Sequence, residues 1–148
     1  MKTFKKSEVR ALVQIMAGIK LANMTSEVKV PLTRNFVRLR SVVKEIEDIQ
    51  KDTSEKLITE DYKLLSEKRD RTSEEETIFT EMSESINTDY AAVIDPILKE
   101  ECEIDIHFIT DKQFDKFVEK FDLELAIAGI IYDNFVKADE PVKEVVAE

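Results

Sequence analysis

Two glycines in 148 residues set the narrowest limit on what this chain can fold into. Glycine takes positive φ at no steric cost, and tight hairpin turns, phosphate-cradling loops and dinucleotide-binding turns all draw on that freedom. Average usage of about 7% would put roughly ten glycines in a chain of this length. The shortage excludes an all-β fold, a P-loop and a Rossmann fingerprint, and it leaves helices. A chain of this size buries about two thirds of its unfolded surface, enough for one modest core without disulfides or metal. The sequence therefore predicts a single domain over residues 1–148 that is mainly α, a small bundle built on a helical hairpin with one short extended segment near 101–109.

Hydrophobic spacing places the elements. Ser7 suits an N-cap, and Leu12, Ile15, Met16, Ile19 and Ala22 follow on one face, which predicts a first helix over about 8–23. Pro31 fits the first turn of a second helix, in which Phe36, Leu39, Val43 and Ile46 form the apolar stripe. The same heptad count runs on through Gln50, Thr53, Leu57, Glu60 and Leu64, so this helix is expected to reach the mid-60s while its stripe weakens. Residues 1–65 then make a long-helix hairpin, and 66–77, which lack a large apolar group to anchor them, make an acidic loop.

Thr72–Glu75 and Ser73–Glu76 both satisfy capping-box spacing ahead of Ile78, Phe79, Met82 and Ile86, predicting a third helix near 74–87. Tyr90 to Leu98 keep helical spacing, with a kink or restart expected at Asp95–Pro96. From Glu101 to Ile109 the period changes to two, with Cys102, Ile104, Ile106 and Phe108 on one face and Glu101, Glu103, Asp105 and His107 on the other. That strand must lie across helices, pair with a short stretch the pattern does not reveal, or add to a neighbouring subunit. Thr110 and Gln113 form another capping pair ahead of a helix whose expected apolar face is Phe114, Phe117, Val118 and Phe121. A last helix over about 123–137 is apolar round a wide arc, which implies contact on two sides. Residues 78–138 thus hold the C-terminal helices and the strand, and 139–148 are an acidic tail.

Residues 1–50 hold ten basic and five acidic groups and residues 51–148 hold twelve and twenty-seven, so a net charge of −10 conceals parts of +5 and −15. One expectation is internal neutralisation, with Arg34, Arg38, Arg40 and Lys44 folded back near the acidic middle segment; the other is a separate partner for each part. The net negative charge disfavours direct nucleic-acid binding.

Chemistry is scarce. The single histidine, His107, lies on the opposite strand face from Cys102, so a Cys–His dyad is not expected and Cys102 reads as a core thiol. Glu101, Glu103, Asp105 and His107 stand in a row, whereas metal ligands converge from several elements, so no metal is expected. No cofactor motif, calcium loop or Cys-x-x-Cys occurs, and the reading is that the chain is not an enzyme and takes no small-molecule substrate. No stretch approaches the ~20 apolar residues of a membrane span, so no membrane partner is expected. The charged opening Met1–Arg10 lacks the apolar core of a secretory leader, and a lone cysteine suits a reducing compartment.

The run from Lys5 to Leu21 (KKSEVRALVQIMAGIKL), Arg34-Asn35-Phe36 leading into a long Glu/Lys helix, and Glu100 to Ile106 (EECEIDI) ahead of two short helices resemble a group of small helical proteins encoded by tailed phages and prophages. The resemblance covers most of the chain in order. It implies a phage origin, a place in the virion or the host cytoplasm, and no transferable functional residues. The expectation that follows is a non-enzymatic virion structural or assembly component acting by protein–protein contact, with other virion proteins or a second copy of itself as partner. Candidate interface residues are Leu12, Ile15, Ile19, Phe36, Leu39, Val43, Ile127, Ile131 and Phe135, each with core packing as its alternative role. The competing expectation is an acidic inhibitor of a host nucleic-acid-binding or defence protein, using Glu74, Glu75 and Glu76.

Overall fold

A computed structural model describes residues 1–22 and 24–137; the acidic tail expected at 139–148 lies outside the described residues. The protein is mainly α. In order come β1 (Lys2–Lys5), α1 (Lys6–Ala17), α2 (Ser26–Leu57), α3 (Glu60–Glu67), α4 (Ser73–Lys99), β2 (Glu101–Ile104), β3 (Ile109–Thr110), α5 (Asp111–Lys120), α6 (Leu125–Phe135) and β4 (Val136–Lys137).

The partner of the expected strand is the N-terminus. β1 pairs antiparallel with β2, Phe4 opposite Cys102 and Lys5 opposite Glu101. The ribbon runs straight into α1, whose first amide, Lys6 N–H, donates to the Glu100 carbonyl at 2.9 Å. That bond takes up one of the orphan donors of a helix start, and α1 begins without the side-chain cap expected of Ser7. Gly18 closes α1, its N–H donating to the Ile15 carbonyl, so the helix stops well short of residue 23.

α2 starts one turn before Pro31. Val28 and Leu32 are both buried, and their burial outweighs the donor that Pro31 lacks. Its inward stripe is Val28, Leu32, Asn35, Leu39, Val43 and Ile46. The helix ends at Leu57 and not in the mid-60s. Ile58 is extended, and Thr59 caps a new helix by accepting from the Tyr62 amide at 3.2 Å. α4 opens with the Thr72–Glu75 capping box and continues unbroken through Tyr90 to Lys99; Pro96 sits in its last turn and does not restart it.

The core gathers at one end of this hairpin. Phe4, Val9, Leu12, Leu32, Leu39, Ile104, Ile109, Phe117, Ile131 and Phe135 belong to one buried cluster. Further out, over residues 47–93, Thr53 is the one buried residue. The outer hairpin is therefore an arm of half-buried seams and solvated faces. At its tip the loop read as unanchored is tied down by a cation instead of an apolar group. Arg71 lies over the Phe79 ring at 4.2 Å, pairs with Glu76 at 2.8 Å and donates to the Leu65 carbonyl at 2.9 Å, while Tyr62 stacks on Phe79.

The strand pattern fails beyond Ile104. Ile106 is buried as expected, but Phe108 is 45% exposed and Ile109 takes the inward position. Residues 105–108 leave the ladder, and α2 side chains bind their backbone.

Candidate functional site

Five of the nine candidate interface residues are consumed by the chain's own core. Leu12, Leu39, Val43, Ile131 and Phe135 are buried, so only the edges of their packing reach a partner. Ile15, Ile19, Phe36 and Ile127 are half-buried. The structure nevertheless brings several of them together around α6.

Residues Ile131 and Phe135 of α6 form one wall of an apolar depression of about 240 Å³, closed by Met16, Ala17, Ile19 and Leu21 at the end of α1 and by Leu32, Thr33 and Phe36 of α2. The hydroxyl of Thr33 is the one polar side chain in that lining. Ile130 and Asn134, one position back on α6, line a second depression of about 200 Å³ with Glu8, Ala11, Leu12 and Ile15 of α1. The wide apolar arc read from the sequence thus serves both depressions, since residues four apart share a helical face.

Polar contacts hold α6 in place. Lys2 Nζ donates to the Asp133 carbonyl at 3.0 Å and to Asn134 Oδ1 at 3.1 Å. The Tyr132 hydroxyl donates to Asp111 Oδ1 at 2.7 Å, and that carboxylate raises the tyrosine's pKa above its ordinary value.

Sequence reasoning missed the contact that fixes 105–107 on α2. Asn35 is fully buried; its Nδ2 donates to the His107 carbonyl at 2.8 Å and its Oδ1 accepts from the His107 amide at 2.8 Å. One turn on, Arg38 donates to the Asp105 carbonyl at 2.6 Å and pairs with its carboxylate at 3.2 Å. The signal was present: Asn35 holds a stripe position between Leu32 and Leu39, and a polar residue there needs a buried partner.

The charged and nucleophilic groups are spread out. Cys102 sits in the ribbon opposite Phe4 while His107 is held beyond the strand's end, and burial pushes the Cys102 thiol pKa up, away from thiolate. Among the described residues no three His, Cys, Asp or Glu side chains are grouped to hold a metal ion. Among the described residues, no ion pair joins Arg34, Arg38, Arg40 or Lys44 to the acidic middle segment, where neutralisation was expected. Arg38 pairs with Asp105, whereas the arm's ion pairs are internal to it: Lys63–Glu60, Lys68–Glu75 and Arg71–Glu76. Antiparallel packing explains this, because the arm's acidic end lies at the far end of α2 from Arg34. Of the triplet Glu74 to Glu76, two carboxylates are already held by cations at the tip.

No helix among the described residues is long and apolar enough to cross a membrane. Compared with protein-family models, curated proteins and solved structures, the chain matches none.

Proposed function

We propose that this chain is a non-enzymatic phage protein that works by docking onto another protein, as a structural or assembly component of the virion. The observation carrying the reading is the depression lined by Met16, Ile19, Phe36 and Ile131, apolar save for one hydroxyl and set between three helices. A cavity of about 240 Å³ accommodates one large side chain of a partner, the arrangement by which a buried anchor supplies most of an interface's energy. Leu125, at the start of the same α6, is a further exposed apolar side chain, 90% exposed.

The test is mass spectrometry of phage particles purified from a lysate in which the chain is produced, with Ile19→Glu as the paired variant and circular dichroism to verify its folding. Stoichiometric incorporation of the native chain and loss of incorporation with Ile19→Glu support docking through this depression. Absence from the particles, together with a normal yield of infectious phage when the chain is deleted, refutes the structural and assembly role.

A further inference from the structure

The helical faces turned away from the core carry a pattern that the fold does not use. On α2, the positions opposite the buried stripe are Val30, Arg34, Val37, Ser41 and Lys44, at alternating steps of four and three, all exposed. On α4, the outward positions are Glu74, Ile78, Glu81, Ser85 and Thr88, again at steps of four and three and again exposed. Such spacing puts each set on one helical face, a seam whose apolar residues are Val30 and Val37 on α2 and Ile78 on α4. Val37 is 58% exposed and Ile78 is 49% exposed.

The charges on the two seams are opposite, and the chain leaves them unpaired. Arg34, Lys44, Glu74 and Glu81 form no ion pair among the described residues, although Glu75 and Glu76 beside them do. One chain cannot join its own seams, because both face outward and one lies beside the core while the other lies at the arm's far end. Setting Val37 against Ile78 puts Arg34 within one residue of Glu74 if the helices run parallel and directly opposite Glu81 if antiparallel, and leaves Lys44 about one turn beyond the other glutamate in either case.

We infer that the outward face of α2 docks the outer part of α4 from a second copy of this chain, joining copies head to tail. The contact uses a different patch on each copy, so it generates a ring or an open filament and not a two-fold dimer. This rests on the reading that the protein acts through protein contacts, but it concerns a different surface from the α6 depression. Basic α2 meeting acidic α4 also sets direction, since α2 against α2 and α4 against α4 both place like charges together.

Sedimentation equilibrium of the purified full chain reads the result. The expected outcome is a weight-average mass that rises with concentration above the 17.1 kDa of one chain and falls back as salt is added. Two charge-reversed proteins supply the decisive arm: Arg34→Glu with Lys44→Glu in one, Glu74→Lys with Glu81→Lys in the other. All four positions are exposed, and circular dichroism checks that each protein keeps its helices. Each alone is expected to remain at the monomer mass, and their mixture is expected to regain association, because each then meets a complementary seam. A wild-type chain that stays monomeric up to millimolar concentration overturns the inference, as does association that survives either double reversal. A wild-type monomer that is still incorporated into particles through Ile19 refutes head-to-tail docking alone and leaves the proposed function standing. Binding of the Arg34 and Lys44 face to a DNA duplex without self-association overturns it in favour of a nucleic-acid surface.

Discussion

Replacing Asn35 tests whether the segment after β2 is placed by its backbone contacts with α2. Asn35→Leu keeps the approximate volume of the side chain and removes both 2.8 Å hydrogen bonds to His107. The His107 amide and carbonyl then lose their partner where water has limited access, at about 1–3 kcal/mol for each unsatisfied group. The leucine recovers part of that through its own burial, and we expect a net loss of about 2–4 kcal/mol. At roughly 2–4 °C per kcal/mol for a chain of this size, the melting temperature should fall by about 5–15 °C.

Asn35→Asp adds a sharper comparison at the same site. Its protonated carboxyl can reproduce the amide pattern, donating to the His107 carbonyl and accepting from the His107 amide. The ionised form turns an oxygen toward that carbonyl and buries a charge. The folded pKa of the new carboxyl is therefore raised above its unfolded value of about 3.9. The sign follows directly: the ionisation penalty is absent below the unfolded pKa and grows as pH rises toward the folded one. Urea denaturation should show this variant near wild type at about pH 4 and well below it at about pH 7, relative to the wild-type protein at each pH. A leucine variant within about 0.5 kcal/mol of wild type, or an aspartate variant with the same deficit at both values, refutes the placing of this segment by Asn35.

Gly129 lies mid-helix in α6 with open space where a Cβ would stand, so Gly129→Ala should stabilise by about 0.5–1 kcal/mol, read as a rise in melting temperature. Phe117 is fully buried and its ring lies 5.1 Å from that of Phe121; Phe117→Ala should cost about 3–5 kcal/mol in urea denaturation. Arg71→Ala removes the cation over Phe79, and α3 amides should exchange faster while global stability changes by less than about 1 kcal/mol. The Lys68 hydrogen bond holds the Glu75 carboxyl below its usual pKa; its contribution is present above the unfolded pKa and lost as pH falls through the folded one. Hydrogen-exchange protection factors at the arm tip, corrected for the pH dependence of intrinsic exchange, should therefore fall in acid, and Glu75→Gln should flatten that response.

Local patterns were legible where a few neighbouring residues decide the outcome. The Thr72–Glu75 and Thr110–Gln113 capping boxes fall where their spacing puts them, with both reciprocal bonds formed. β2 was legible as a strand from alternation alone, but β1 was not, because Lys2–Lys5 is too short to display a period. Ile19, Phe36, Ile131 and Phe135 were selected as apolar interface candidates without any signal that they meet; their convergence on one depression depends on how α6 crosses α1 and α2.

The dominance of helices, the places of their caps and the choice of apolar faces follow from glycine content, side-chain capping and periodicity, which act within a turn or two. Which apolar faces the core consumes and which stay open was set by the packing of distant elements, and that packing made Asn35 a partner for backbone 72 residues away. Burial and charge pairing depend on what arrives from distant parts of the chain. The same packing also decided that the basic face of α2 and the acidic end of the arm stay apart, since antiparallel packing sends opposite charges to opposite ends of the hairpin.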